Sequence, residues 1–341
     1  MRRSLRSQRL LEILVLSLIL ALAPACDQGD CLEGAFGGSC GDDPARDTAP
    51  ADAVGEAGDD AVPAETIEPG QYPDDADADQ IEALAEVNAV RRAVGLPPVD
   101  QIASLNQAAT AHAKFYALHY DKYQSTGLSP HEEDPSFGEG FTAADFFARM
   151  QAKGFDGWGG FEIIAFYHNP RLAVAGWVAT LYHRIPVVYP GSATMGYGGA
   201  GGGVRAIDVI DWGTGAPTPA GVTEVLYPWE GQTDVDVSWD GFESPQPPPP
   251  PGGYPSGPIV TATFVGAVPT VASHKLLDPS GAEVAHTFLT PTTDAYLDGT
   301  QTISLYADEP LEPLTTYRVA LEGKRGTQPW TLEWSFTTAA H

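Results

Sequence analysis

The distribution of helical and strand periodicity along the chain limits its fold more than any other feature. Apolar residues recur at helical spacing in several segments between residues 79 and 214, and in none after residue 214. The later region instead carries short stretches of alternating apolar and polar residues, separated by Pro- and Gly-rich turns. The sequence therefore predicts an α+β domain over residues 79–214, followed by an all-β sandwich over residues 215–341.

Local signals place the helices of the first domain. The first apolar helical pattern runs over residues 81–94, and a capping-box pattern of Ser104 and Gln107 is expected to open the second helix. Thr142 and Asp145 open the third helix, and the pair Asn169-Pro170 opens the fourth. Two Gly-rich or β-branched segments, residues 193–199 and 204–212, then predict strands of a small antiparallel sheet.

Charge is concentrated outside the first folded domain. The chain has a formal net charge of −27, which argues against nucleic acid or an anionic lipid surface as its main partner. Residues 26–78 carry 15 acidic residues and one basic residue, with almost no aromatic side chains. Such a segment cannot bury enough apolar surface to offset its ordering entropy. We therefore expect residues 26–78 to form a disordered acidic tether.

The N-terminus has the features of an export signal. Four arginines precede an apolar run of 11 residues, Ile13–Ala23, which is too short to span a bilayer. Small residues lead directly to Cys26, so residues 1–25 are predicted to be a signal peptide. The Cys at this position resembles the lipobox of bacterial lipoproteins, which implies acylation of Cys26 and an extracytoplasmic, membrane-anchored location. An ordinary signal peptide with secretion is the alternative.

The remaining two cysteines lie nine residues apart in the tether. In an oxidising compartment Cys31 and Cys40 can form a disulfide, and two free thiols are the alternative. Since no cysteine follows residue 40, the folded domains depend on core packing alone.

An ordered set of motifs in the first domain resembles the bacterial branch of the CAP superfamily. That superfamily includes cysteine-rich secretory proteins, antigen-5 proteins and plant pathogenesis-related proteins. The resemblance implies an α-β-α sandwich with a central cavity lined by histidines and glutamates. The matching segments are Gly95-Leu96-Pro97-Pro98, Ala111-His112-Ala113, His131-Glu132-Glu133-Asp134-Pro135, Glu162-Ile163-Ile164-Ala165, Gly176-Trp177-Val178-Ala179-Thr180-Leu181-Tyr182-His183-Arg184, Thr194-Met195-Gly196-Tyr197-Gly198 and Val209-Ile210-Asp211-Trp212-Gly213.

The same resemblance implies that His131, Glu162 and His183 line the cavity. The family's Gly and Asn around the glutamate are absent here, Tyr182 replaces a glycine before His183, and the second cavity glutamate has no match. Two imidazoles and a carboxylate that converge are able to bind Zn²⁺ with one open position. They are equally suited to acid–base catalysis, or to satisfying one another as a buried polar network. The sequence leaves these three interpretations open.

The remaining histidines, an acidic run and a glycine-rich run are interpreted as structural and not as functional sites. His112 is expected to be a hydrogen-bonded core histidine, whereas His119, His168, His274 and His286 are expected at the surface. The acidic run of residues 132–134 is expected to be solvated. The literal G-x-G-x-x-G of residues 196–201 lacks a following helix, so we interpret it as a hairpin loop and not as a dinucleotide site.

The C-terminal region resembles bacterial Ig-like domains. The resemblance lies in residues 310–317 and in the terminal run Trp334-Ser335-Phe336-Thr337-Thr338. Such domains act as adhesion or spacer modules at cell surfaces, and we find no candidate site in this region.

Together these features favour an envelope protein that binds a small apolar ligand or a partner in the CAP cavity, in contact with the cell envelope through its lipid anchor. The alternatives are a metal-assisted hydrolase that uses the His/Glu residues, and a surface adhesin or structural module.

Overall fold

The computed structural model describes residues 70–341. The predicted signal peptide, all three cysteines and most of the predicted tether lie outside this range. The α-helices are α1 (Ala78–Ala93), α2 (Ala103–Thr126), α3 (Phe146–Ala152), α4 (Pro170–Ala179) and α5 (Arg184–Val188). The strands are β1 (Asp100–Gln101), β2 (Gly160–Ala165), β3 (Ser192–Ala200), β4 (Ile207–Thr214), β5 (Glu224–Tyr227), β6 (Gln232–Val235), β7 (Val260–Phe264), β8 (Thr270–Leu277), β9 (Glu283–Val284), β10 (His286–Leu289), β11 (Thr302–Ala307), β12 (Thr316–Arg325) and β13 (Gln328–Thr338).

The first sheet has the strand order β1-β3-β4-β2 and helices on both faces. Strand β4 is antiparallel to both β2 and β3, whereas β1 pairs in parallel with β3. One face packs against α1 and α4, in a core that includes Trp177 and Trp212. The other face packs against α2, in a core that includes Phe115 and Ile164. The predicted α-β-α sandwich is therefore present, with the sheet as its central layer.

Glycines in β3 let α2 lie directly on the sheet. A Cβ at Gly196 would come within 2.1 Å of the backbone of Leu105, and one at Gly198 within 2.2 Å of the backbone of Thr110. These glycines belong to the G-x-G-x-x-G run, whose first residues form strand β3 and not a hairpin loop. The run therefore serves close helix–sheet packing.

The predicted helix starts are partly correct. Of Thr142 and Asp145 it is Asp145 that caps α3, and Asn169 caps α4 as predicted, each with its side chain bonded to a backbone N–H. The predicted capping box of Ser104 is wrong, because α2 begins two residues earlier and has Ile102 at its N-cap position. The amide of Ile102 donates to the carbonyl of Met195 on β3. Pairing with the sheet, and not a side-chain cap, thus fixes where α2 begins.

The folded region begins before the predicted tether ends. The amide of Gln71 donates to the carboxylate of Asp100 at 2.8 Å, and the carbonyl of Gln71 accepts from the amide of Gln101 at 2.7 Å. Asp77 then forms a capping box with Gln80 at the start of α1. Residues 71–77 are therefore attached to the first sheet and to α1.

The C-terminal region is a β-sandwich. One sheet has the order β10-β11-β7-β5 and the other the order β6-β13-β12-β8-β9. All pairs are antiparallel except β6 with β13. Residues 283–289 are divided between the two sheets as β9 and β10. The inner faces of the two sheets share one apolar core, which includes Phe264, Val319 and Phe336.

The α-β-α sandwich and the β-sandwich share buried side chains. Residues 70–341 lie within one compact unit. A mixed apolar cluster joins the segment after α4 to the β-sandwich, and its buried members are Leu181, Ile185, Trp239, Ile259, Leu289, Leu297 and Tyr306. Among residues 70–341, no helix is long and apolar enough to cross a membrane.

Candidate functional site

The register of the first sheet places two acidic side chains beside each other. Glu162 on β2 pairs directly with Asp211 on β4. Because side chains alternate along a strand, Glu162 lies on the same face as Ile164, which packs in the core beneath α2. Both carboxyl groups are buried. The β4-β2 edge of the sheet therefore holds two acidic groups that face the α2 layer.

Glu162 is held by a histidine and an arginine. Its Oε1 lies 2.9 Å from Nδ1 of His131, and its Oε2 accepts from Nη2 of Arg149 at 2.6 Å. The same Arg149 nitrogen donates to the carbonyl of His131 at 3.0 Å. Burial opposes ionisation of Glu162, but positive charge on His112 and Arg149 and the bond from His131 lower its pKa below the usual range. Glu162 is therefore a buried carboxylate.

A second pair continues the ionic network on the other side of Arg149. Oε1 of Glu133 lies 3.0 Å from Nδ1 of His112 and 3.8 Å from Nε of Arg149. Nε2 of His112 lies 2.7 Å from the carbonyl of Pro130. Both ring nitrogens of His112 therefore face oxygen atoms, one of the Glu133 carboxyl group and one of the Pro130 carbonyl. The interpretation of His112 as a satisfied core histidine is correct, whereas Glu133 is buried and not solvated as predicted.

Asp211 and Arg149 are both incompletely hydrogen-bonded. Within residues 70–341, neither carboxyl oxygen of Asp211 has a hydrogen-bond partner, and Nε and Nη1 of Arg149 also have none. Burial, and then the negative charge of Glu162, raises the pKa of Asp211 well above its usual range, although Arg149 opposes this effect. The environment thus keeps Glu162 ionised and favours a protonated Asp211.

His131 connects the buried network to solvent. Its side chain is 38% exposed, whereas Glu162 is 1% exposed and Arg149 is fully buried. With Nδ1 held by Glu162, the Nε2 atom of His131 remains for another partner. The sequence expectation that His131 and Glu162 lie together thus agrees with the structure.

His183 forms a separate contact, with a residue from the C-terminal region. Its Nδ1 donates to Oε1 of Glu243 at 2.7 Å. The Glu243 carboxylate also accepts from the amides of Leu181, Tyr182 and His183, at 2.7 to 2.9 Å. Each ring in the predicted triad is therefore bonded to its own glutamate, and His183 is committed to the contact between the two sandwiches.

Arg184 strengthens this contact from a fully buried position. Its guanidinium donates to the carbonyl of Val178 at 2.6 Å and to the carbonyl of Ile259 at 2.8 Å. It also stacks on Tyr227, 4.3 Å from the ring centroid. Desolvation lowers the pKa of Arg184 to about 10. The residues after α4 therefore link the first sandwich to β5 and β7.

We expect Glu243→Gln to lower the free energy of unfolding by about 1–3 kcal/mol, because the amide replaces a buried carboxylate that accepts four hydrogen bonds. Thermal melting of the full chain measures this loss. Glu230→Gln is the matched control, since Glu230 also accepts an amide and a side-chain donor but at an exposed site. Equal melting temperatures for the two variants would contradict the buried role of Glu243.

The residues do not fit the predicted zinc site. Among residues 70–341, no group of three or more His, Cys, Asp or Glu side chains is arranged to hold a metal ion. Both oxygens of Glu162 already have partners, and one partner is the cation of Arg149, which would repel a metal. His183 is bonded to Glu243 instead. We therefore derive no metal chemistry for His131, Glu162 and His183.

Several members of the network could not be identified as functional from sequence alone. In the sequence, Arg149 and Glu243 are each a single charged residue outside any recognisable motif. Asp211 could have been recognised as a buried acidic residue, because it interrupts the apolar run Val209-Ile210-Asp211-Trp212. His119 is buried and bonded to the carbonyl of Glu139, contrary to the prediction that it is exposed.

His274 and His286, predicted at the surface, are half-buried and contact each other. His274 and His286 lie 2.8 Å apart, nitrogen to nitrogen, and join one sheet of the β-sandwich to the other. His168 is exposed as predicted.

Residues 84–205 match the family model described as CAP, the cysteine-rich secretory protein family. The chain therefore carries a CAP domain, which contains His131, Glu162 and His183 but not Asp211 or Glu243. No curated protein sequence matches the chain.

Three solved structures are similar to part of the chain. An extracellular protein with an SCP domain from Bacillus anthracis has 16% identity and a TM-score of 0.31, covering 40% of each chain. An outer surface protein of Borrelia burgdorferi has 16% identity and a TM-score of 0.30, covering 39% of this chain and 90% of its own. Venom allergen-like protein 4 of Schistosoma mansoni has 16% identity and a TM-score of 0.27, covering 42% and 92%. The chain thus spans 40% of the length of the Bacillus protein.

Proposed function

We propose that this is an extracytoplasmic, lipid-anchored protein whose CAP domain binds a small apolar ligand, or an apolar partner, of the cell envelope at the surface around His131. The observation that carries the proposal is the position of His131 at the solvent-facing end of a buried ionic network. Glu162 fixes the ring through Nδ1, so that Nε2 is held ready for a polar group of the ligand.

A row of aromatic rings supports an apolar body for this ligand. The Tyr123 hydroxyl donates to the carbonyl of Glu132, next to His131, at 2.6 Å. The Tyr123 ring lies 4.7 Å from the ring of Tyr116, which lies 5.8 Å from the ring of Phe166. Phe166 is 52% exposed. Tyr116 and Tyr123 are buried, so Phe166 is the ring of this row that an apolar ligand can contact.

Native mass spectrometry of the protein extracted from its own envelope tests the proposal. Wild type is expected to retain a bound apolar molecule or partner, and His131→Ala to lose it, because the Nε2 contact is gone. Glu132→Gln is the matched control, since this neighbouring side chain is exposed and makes no hydrogen bond within residues 70–341. Equal retention by wild type and His131→Ala would contradict a ligand site at His131.

The binding proposal is preferred over metal-assisted hydrolysis because the carboxylate needed for the metal is already paired with Arg149. A wild-type protein that retains nothing would favour the adhesin alternative. In that alternative the C-terminal sandwich, which we propose to be Ig-like, would be the interacting part.

We predict that Cys26 is acylated in the mature protein, since it directly follows a short apolar segment and small residues. Metabolic labelling with an alkyne fatty acid should mark wild type, and Cys26→Ser should remain unlabelled. Cys31→Ser serves as the control and should be labelled like wild type. Labelling of Cys26→Ser at the wild-type level would exclude this anchor and leave secretion as the alternative.

A further inference from the structure

An open polar groove lies along one face of α2, away from His131. Its volume is about 400 Å³, which is within the range of small-molecule sites. The lining residues of α2 recur every three or four positions, from Ala103 through Thr110 to Lys114. At a helical rise of 1.5 Å this stripe is about 16 Å long, enough for about five extended residues. Small side chains such as Ala103 and Ala111 keep the groove open.

The base of the groove is fixed by buried amides. Nδ2 of Asn106 donates to Oε1 of Gln80 at 3.2 Å, and Nε2 of Gln80 donates to the carbonyl of Tyr197 at 3.2 Å. The amide of Tyr197 in turn donates to Oδ1 of Asn106 at 3.0 Å. These bonds tie α1, α2 and β3 together, so the base requires little reorganisation when a ligand binds.

The groove carries charges of both signs that do not neutralise each other. Asp75 and Asp77 precede α1, Lys114 lies on α2, and Lys153 ends α3. Within the part of the chain that the structure describes, none of these four groups takes part in an ion pair. The chain has only five lysines, and two of them line this groove. In a chain of net charge −27, two lysines without acidic partners in one groove indicate a site for a negatively charged group.

We propose that this groove binds short zwitterionic peptides. The lysines of the groove supply the positive charge for the peptide carboxylate, and its aspartates supply the negative charge for the ammonium group. Asp77 uses Oδ1 to cap α1, which leaves its second oxygen for the ligand. The length of the α2 stripe favours a peptide over a free amino acid. The site is independent of the ligand proposed at His131, because a different set of residues forms it.

Calorimetric titration of the full chain with the peptide Ala-Gly-Ala-Gly-Ala tests the proposal. The free peptide should bind, and the same peptide with acetylated and amidated ends should not. We expect Lys114→Gln with Lys153→Gln to weaken binding about tenfold or more, since charge-assisted bonds are lost. Asp75→Asn with Asp77→Asn should do the same while keeping the α1 cap, which asparagine also forms.

Lys324→Gln is the control, because it removes an exposed lysine from the β-sandwich and should leave the affinity unchanged. Absence of heat at a peptide concentration of about 10 mM would overturn the proposal. The proposal would also be overturned if the protein bound the blocked peptide as tightly as the free one. It would equally be overturned if the double lysine variant bound the free peptide as tightly as wild type. The His131→Ala variant should bind the peptide like wild type.

Discussion

Replacing Arg149 with methionine is expected to lower the free energy of unfolding by about 3–5 kcal/mol. Arg149 is fully buried and is the cation between Glu133 and Glu162, whose side chains are also inaccessible. Methionine fills much of the same volume but leaves these two carboxylates without the guanidinium charge. Urea unfolding of wild type and variant at neutral pH measures the loss.

Arg171→Met is the matched control for this loss. Arg171 also faces two carboxylates, Glu82 at 3.3 Å and Glu86 at 3.0 Å, but its side chain is 68% exposed. We expect that variant to lose less than about 1 kcal/mol, because solvent screens exposed pairs. Adding Glu162→Gln to Arg149→Met should recover part of the lost stability, since a neutral amide needs no counter-charge. A similar loss for Arg149→Met and Arg171→Met would show that the buried network does not stabilise the fold.

Local sequence signals predicted local structure well. Asp145 and Asn169 cap helices because their side chains act within one turn of their own position. The start of α2 was missed because a contact with β3, more than 90 residues away, decides it. Likewise the segment of residues 283–289 has the composition of a single strand, and the split between two sheets depends on how the sandwich closes.

In the candidate site, too, some contacts were expected from the sequence and others were not. The pairing of His131 with Glu162 was expected from the family resemblance, and the strand register explains it. The partner of His183 could not be predicted, because Glu243 lies 60 residues further on and reaches His183 only after the two sandwiches pack together. The role of Arg149 was equally hidden, since a single arginine in a short helix gives no sign that it will be buried between two glutamates.

Asp211→Asn is expected to increase stability at neutral pH. Burial and the charge of Glu162 raise the pKa of Asp211 in the folded protein. The folded protein therefore retains a proton that the unfolded chain releases above about pH 3.9. Stability is lost as the pH rises from that value to the folded pKa, by about 1.4 kcal/mol for each unit of pKa elevation. Asparagine resembles the protonated side chain and removes this loss. Urea unfolding between about pH 4 and pH 8 should show a gain that grows with pH.

Glu162→Gln provides the comparison of opposite sign. Positive neighbours lower the pKa of Glu162 in the folded protein, so its charge stabilises the fold above the unfolded pKa, and this contribution disappears as the pH falls through the folded value. Glu162→Gln should therefore lose stability at neutral pH, and the loss should shrink in acid. If Asp211→Asn were also destabilising at neutral pH, with a loss that shrinks in acid, Asp211 would be ionised in the folded protein. Glu162 and Asp211 would then both be negatively charged beside Arg149. The buried network behind His131 would therefore carry one more negative charge.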